Sequence, residues 1–226
     1  MSSESLYLNK PDYYIDHIVW EIVFEIPEGS NKILDIGCGG ALTGLTLKQH
    51  KKASEVIGID ISKAAAERAA LRIDKVIVGN IEEMDLNLPD GYFDYVILGD
   101  ILEHLINPWE FLKKINKYLK QNGRMLVTIP NVRCWRVVVP LIFKGAWSYE
   151  WQGILDKSHL RFFTKKTIYQ LFNDAGLNIC KIKAMVGSNL VSGYSSKTIT
   201  AFLDKFTLGL FREFLAPGYF IVSSKS

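Results

Sequence analysis

The segment Leu34-Asp35-Ile36-Gly37-Cys38-Gly39-Gly40 carries the densest chemical signal in the chain: an apolar strand ends at an acid, glycines follow at once, and a helix starts directly after. Glycines at such a bend let the backbone turn sharply and approach a ligand closely, because no Cβ is in the way. In an open α/β sheet the crevice after the first strand is where nucleotides bind. Two ligand classes compete for it. A dinucleotide fingerprint counted from Gly37 requires a last glycine where this chain has Leu42, so that fingerprint fails. The Asp35 carboxylate would also repel a pyrophosphate, whereas a ligand with an amino group and a sulfonium would be attracted to it. The acid therefore favours S-adenosylmethionine over NAD.

A second strand, Val56-Ile57-Gly58-Ile59-Asp60, also ends in a carboxylate, about twenty residues beyond the bend. A carboxylate accepts two hydrogen bonds and so can hold both ribose hydroxyls of an adenosine. Asp60 thus supports adenosine without choosing between cofactors. A third strand leads into Gly79-Asn80-Ile81-Glu82-Glu83, where the Asn80 amide would meet the adenine edge and Ile81 would lie on its face.

These residues need elements to hold them. Pro11 stands where a helix would begin, and Ile15, Ile18, Val19, Ile22, Val23 and Ile26 repeat at helical spacing before Pro27 and Gly29. Strand-like runs follow at Lys32 to Ile36, Val56 to Ile59, Val76 to Val78, Tyr92 to Leu98 and Arg124 to Ile129. Helical segments at Ala41 to Gln49, Lys63 to Leu71 and Pro108 to Leu119 separate them. Strands joined by helices need crossover connections, which predicts an α/β, doubly wound, mostly parallel sheet. Residues 131–160 mix aromatic and basic residues with no clean period. A helix at Lys165 to Ala175 and a strand near Leu177 to Ala184 resume the alternation. Residues 186–198 read as a loop, and a helix carrying Phe202, Leu203, Phe206 and Leu210 precedes a last strand near Tyr219 to Val222.

With LDIGCGG, VIGIDIS, GNIEEMDL, FDYVILGDILEHLINP and LKQNGRMLVTIPN in that order over residues 33–131, the chain resembles class I methyltransferases of the S-adenosylmethionine-binding superfamily. The resemblance implies one domain with a seven-stranded Rossmann-like sheet. In it, residues 1–30 form an N-terminal helix, 31–130 the cofactor core, and 131–165 with 185–215 a cap over the acceptor. It places Asp35, Gly37, Cys38 and Gly39 at the methionine end, Asp60 and Ile61 at the ribose, and Asn80 and Ile81 at the adenine. Gly99 and Asp100 close the site, and Tyr14, with Tyr13, lays an aromatic over the cofactor. S-adenosylhomocysteine is the implied product. The chain departs from the family at Ala41, where a further glycine is usual; either the loop shifts by one residue or an alanine suffices.

Methyl transfer from a sulfonium is an in-line displacement, so catalysis is mostly positioning of the acceptor in a dry pocket. A hydroxyl acceptor benefits from a base, and histidine suits neutral pH. His159, beside a helix start in the cap, is the first catalytic candidate; its plainer alternative is a loop anchor. His104 is the second. Glu103-His104 lies where some relatives hold a divalent cation, but a full ligand set is not visible in the sequence and no metal is assigned. The stretch Asp156 to Thr164 is similar to methyltransferases of sugar and cell-envelope biosynthesis. That likeness implies an oxygen of a carbohydrate-like small molecule as acceptor, with phenolic or quinone-type acceptors, a nicotinamide-dependent oxidoreductase and a non-catalytic binding module as alternatives. Arg133, Arg136 and Arg161 would suit a phosphate on the acceptor, or lie solvated on the surface.

The totals narrow the class. With 226 residues, 48% hydrophobic and 23% charged, the chain has an ordinary globular composition. A net charge of +3 without a basic cluster gives no footprint for nucleic acid. Cys38, Cys134 and Cys180 match neither a metal spacing nor a disulfide framework, which fits a cytoplasmic setting. No secretory signal is evident, and no apolar run approaches the roughly 20 residues a membrane span needs. The oligomeric state is not legible.

Overall fold

The computed structural model describes residues 15–186, 202 and 204–226. Its elements run α1 (Trp20–Glu25), β1 (Lys32–Ile36), α2 (Leu42–Gln49), β2 (Glu55–Asp60), α3 (Lys63–Ala69) and β3 (Lys75–Val78). β4 (Phe93–Gly99), a 3₁₀ turn at Leu102–His104, α4 (Pro108–Asn116), β5 (Leu119–Pro130) and α5 (Trp135–Lys144) follow. The chain closes with α6 (Lys165–Asp174), β6 (Leu177–Ala184), α7 (Arg212–Leu215) and β7 (Gly218–Lys225).

The seven strands form one sheet in the order β3-β2-β1-β4-β5-β7-β6. The five strands β1 to β5 pair in parallel, while β7 runs antiparallel between β5 and β6. Alternate residues of β1 show how both faces are covered. Leu34 and Ile36 enter the core built with Phe111, Leu112 and Ile115 of α4 and Ile168 and Phe172 of α6. Ile33 enters the opposite core, with Ile22 and Ile26 beside α1, Leu47 of α2 and Ala69 of α3. A strand pointing side chains alternately to two faces needs a helical layer on each. The strand order reverses between β1 and β4, and in open α/β sheets ligands bind outside the carboxyl ends of the strands at such a reversal.

Local chemistry sets the helix starts. Asn107 caps α4 by accepting from the Glu110 N–H at 3.2 Å, and Pro108 takes the first helical position, where a missing N–H costs nothing. Thr164 and Thr167 form a reciprocal capping box for α6.

Several predicted boundaries differ. The helix expected from Pro11 to Ile26 is interrupted: 16–19 are irregular, and α1 begins only at Trp20. The Val19 N–H goes to Thr43 Oγ1 at 3.1 Å rather than up a helix. α4 stops at Asn116, and Leu119 pairs with Phe93 as the start of β5. In the aperiodic stretch the structure places α5, which buries only Val137 and so leaves no repeating apolar stripe to read. Tyr13, Tyr14, Leu203 and nearly all of the 186–198 loop lie outside the described residues.

Candidate functional site

The bend after β1 is held by its own hydrogen bonds. The N–H groups of Gly37 and Cys38 both donate to the Ile59 carbonyl, at 2.8 and 3.1 Å, and Ala41 donates to Cys38. Gly40 donates to Ile15 at 2.9 Å, and Gly39 donates to Asp60 Oδ2 at 2.8 Å. Every backbone donor from Gly37 to Ala41 is thus taken within the chain. A phosphate cradle needs such donors turned toward the ligand, so this bend does not make one.

The glycines are required chiefly by the chain itself. A Cβ at Gly39, where φ is +53°, would stand 2.5 Å from the Ile15 carbonyl oxygen, and one at Gly37 2.5 Å from the Ile101 side chain. A Cβ at Gly40 would lie 2.0 Å from Asp16 Oδ1. Asp16 is gripped by Arg72 at 2.5 Å and Arg68 at 3.2 Å, and the same Arg72 donates to the Gly40 carbonyl. Residues 15–19 therefore strap the outer side of the bend. Ala41, where the family usually has a further glycine, takes the left-handed conformation, φ 59° and ψ 33°.

Around the bend stand three acids. Asp35 is buried, and burial, then the nearby Asp60, push its carboxyl up to about 7. Burial also raises Asp60, against the hydrogen bonds it accepts from Ser62 and Gly39. Both Asp60 oxygens are engaged, yet a carboxylate has about four acceptor sites, so it can still take ribose hydroxyls. Asp100, at the end of β4, has φ +51° and its N–H on Thr128. Burial pushes its carboxyl up to about 6, and its Oδ1 has no hydrogen-bond partner among the described residues. Three acids held above their usual range form a pocket that a cation relieves and a phosphate aggravates. The residues fit an amino and sulfonium ligand.

The remaining expected cofactor residues lie on adjacent strand ends. Ile61 and Ser62 follow β2, Asn80 and Ile81 follow β3, and Gly99 ends β4. The Asn80 side chain is partly committed, donating to Glu83 at 2.8 Å and accepting from Glu82 at 3.1 Å. Ile81 is buried in the core beside α4. A Cβ at Gly99 would meet only Val19, at 3.8 Å, so Gly99 leaves space beside Asp100. The Cys38 side chain packs toward Gly58, and burial raises its thiol, so it is no nucleophile.

The two histidines named from sequence meet in space. Their rings stand 4.6 Å apart, edge to face, and both are buried. Glu103 joins them, with His159 Nε2 3.9 Å from its Oε1. His104 arrives on the 3₁₀ turn after β4, whereas His159 is delivered by a built loop. Asp156 Oδ1 accepts from the Ser158 N–H at 2.8 Å and hydroxyl at 2.6 Å, and the His159 N–H donates to the Asp156 carbonyl. The Leu160 and Arg161 N–H groups then donate to the Glu103 carbonyl at 2.8 and 2.9 Å, stitching this loop to the β4 turn. Sequence reading missed Asp156 and Ser158 as positioning residues, although an Asp two residues before a Ser is a turn signal. It also missed Asn131, fully buried, whose amide donates to Glu213 and Ala216 and ties β5 to the segment entering β7.

The three cap arginines do not converge. Arg133 faces Glu213 at 3.6 Å, Arg136 lies near Trp135, and Arg161 donates to the Ile106 carbonyl beside Trp109. A groove of about 370 Å³, lined by Trp109, Arg161, Phe162, Phe163, Thr167 and Gln170 among others, shares no residue with the glycine bend or the histidine pair.

A methyltransferase-domain family model matches residues 8–182 of this chain. The ubiquinone biosynthesis O-methyltransferase of Cereibacter sphaeroides is 30% identical over 189 residues, covering 76% of this chain and 73% of that protein. The demethylmenaquinone methyltransferase of Staphylococcus saprophyticus is 30% identical over 179 residues, covering 71% and 76%. A solved S-adenosylmethionine-dependent methyltransferase from Archaeoglobus fulgidus shares the fold at a TM-score of 0.63, with 21% identity over 91% of this chain and 90% of the other. The chain belongs to the methyltransferase-domain family of the class I superfamily. It is an S-adenosylmethionine-dependent methyltransferase, which decides against the nicotinamide alternative.

Proposed function

We propose that this enzyme methylates a hydroxyl oxygen of a phenolic, quinone-type small molecule. The reading departs from the carbohydrate-like acceptor expected from residues 156–164. One observation carries it: relatives matched over about three quarters of both chains are named for ubiquinone and menaquinone methylation.

When bound, S-adenosylmethionine supplies a methyl group on a sulfonium; the acceptor oxygen forms the new C–O bond while the C–S electron pair returns to sulfur. The chain's residues have two tasks. Asp35, Asp60 and Asp100 hold the cationic amino acid and ribose so that the methyl faces the cap, with Asn80 and Ile81 at the adenine. The bend contributes Gly37, Cys38 and Gly39 through their backbone, and Ile61 and Gly99 border the adenosyl group. Glu103, His104 and His159 meet the acceptor hydroxyl and promote loss of its proton. A phenol needs little help, because its pKa near 10 is far below that of a sugar hydroxyl. A reducing, cytoplasmic setting suits an enzyme whose three cysteines are all free thiols.

The test offers purified enzyme and S-adenosylmethionine to a catechol, a hydroquinone and a nucleotide sugar, with products read by mass spectrometry. A methyl ether on the phenolic substrates is expected. Methylation of the sugar alone would overturn the reading.

A further inference from the structure

The segment from α5 to Lys157 shows water an unusual run of apolar side chains. α5 buries only Val137, and its last turn is exposed: Leu141, then Ile142 at 69% and Phe143 at 80%. Gly145, left-handed at φ 61°, ends the helix, and the chain turns back through Trp147, Tyr149 and Trp151, the last 66% exposed. Trp147 and Tyr149 lean on Phe162, with ring centroids at 5.1 and 6.4 Å, while Lys157 Nζ sits 3.8 Å over the Trp151 ring. Three consecutive exposed apolar residues beside exposed aromatics are a liability unless something covers them. A second exposed set, Phe206, Leu208 and Leu210, precedes α7, which the Asn131 amide and Arg133 tie to the entry of α5.

Charge and length decide what the cover is. From Arg133 to Lys157 the chain carries Arg133, Arg136, Lys144 and Lys157 against Glu150 and Asp156. Asp156 is buried and spent on Ser158. Lys144 directly follows Phe143, and Lys157 covers Trp151, so cations border the apolar side chains. That arrangement suits an anionic lipid surface: apolar groups enter it, aromatics sit at headgroup level and lysines reach the phosphates. A second copy of this chain would bring the same cations against them. α5 has ten residues, about 15 Å of helix against a hydrocarbon core about 30 Å thick. No described helix is long and apolar enough to cross a membrane, so the contact is with one leaflet.

We infer that residues 141–143 with Trp147, Tyr149 and Trp151 form a docking surface for an anionic lipid membrane, with Lys144 and Lys157 at the headgroup phosphates. Lys157 stands two residues before His159, so docking sets the loop that delivers His159 beside the headgroups. A phenol anchored by an apolar tail is then offered to the enzyme without leaving the lipid. That advantage rests on the phenolic reading above; the docking itself does not.

Full-length enzyme is co-sedimented with vesicles of phosphatidylcholine alone and of phosphatidylcholine mixed with phosphatidylglycerol. Binding is expected on the mixed vesicles, weaker on phosphatidylcholine, and weaker again as salt is raised. The double variant Ile142→Glu with Phe143→Glu should lower partitioning by about 100-fold or more. Lys144→Gln should lower it by about fivefold, on the anionic vesicles alone. Both should keep the parent's thermal midpoint, its affinity for S-adenosylhomocysteine and its rate on a water-soluble catechol. No uptake by the parent, or equal uptake by the double variant, overturns the docking. So does a parent that self-associates in sedimentation equilibrium, is rendered monomeric by the double variant and ignores vesicles. Vesicle binding by an enzyme that methylates no phenol leaves the docking standing and removes the function, whereas a catechol methylated by an enzyme that ignores vesicles does the reverse.

Discussion

The crevice at the ends of β1 to β4 and the cap-side cluster solve the same problem, holding charge out of water, in opposite ways. In the crevice each acid sits at or beside a strand end, and Asp60 is braced by Ser62 two residues on and by Gly39 across one strand crossing. In the cluster, Glu103 and His104 from the β4 turn meet His159, which an irregular loop supplies from far along the chain. Regular elements repeat their geometry, so a site built on them can be written as short motifs. A site completed by a loop depends on hydrogen bonds such as Asp156 to Ser158, whose purpose shows only once the loop is folded.

The largest test of that contrast is Asp60→Ala. It orphans the Gly39 and Ser62 N–H groups and removes a ribose partner, so affinity for S-adenosylhomocysteine should fall by about 1000-fold, or about 4 kcal/mol. A calorimetric loss below tenfold would show that the crevice is not organised by its acids. Next in size is Asp156→Ala, which should lower kcat by about 10–100-fold through misplacement of His159 while cofactor affinity stays as it was. A change in affinity instead of kcat would merge the two regions that we separate.

Acidification should act on the crevice selectively. Because the unliganded Asp35 carboxyl titrates at about 7 and only its ionised form attracts the ligand's cationic groups, cofactor affinity should fall as pH drops through 7. The slope approaches about tenfold per pH unit. Stability of the unliganded enzyme should move the other way. The folded carboxyl keeps its proton to higher pH than the unfolded chain does, so stability rises as pH falls from about 7 toward the ordinary value of 3.8. Asp35→Asn should flatten both trends in urea melts and binding titrations; trends that persist in the variant would assign them elsewhere. The smallest effect belongs to Ala41→Gly. Relief of about 1–2 kcal/mol of left-handed strain is offset by a lost buried methyl, about 0.8 kcal/mol, and added chain entropy, about 0.5–1 kcal/mol. Stability should stay within about 1 kcal/mol of the parent, and a larger shift would mean the bend had rearranged.

The parallel core was legible because its strands and helices bury repeating stripes. β1 and β6 begin and end where the apolar pattern does. α5 was not, since one buried residue sets no period. The break before α1 was hidden too: the apolar spacing from Ile15 to Ile26 continues unbroken, but the Ile15 carbonyl is claimed by Gly40 and the Val19 N–H by Thr43, both across the fold. The glycines were read as allowing a sharp turn and close approach of a ligand; the structure adds that three of them make room for residues 15, 16 and 101, which lie elsewhere in the chain.

By itself, then, the order of residues determined an acid-flanked bend, a second acid one strand later and the alternation that makes a sheet put them side by side. Those are properties of neighbours along the chain, carried by backbone geometry and side-chain period. Tertiary structure alone decided that Glu103, His104 and His159 share one buried volume, and that each imidazole sets its Nδ1 against a backbone carbonyl. Contacts between distant segments depend on how loops close and which carbonyls they present, and no local pattern encodes that.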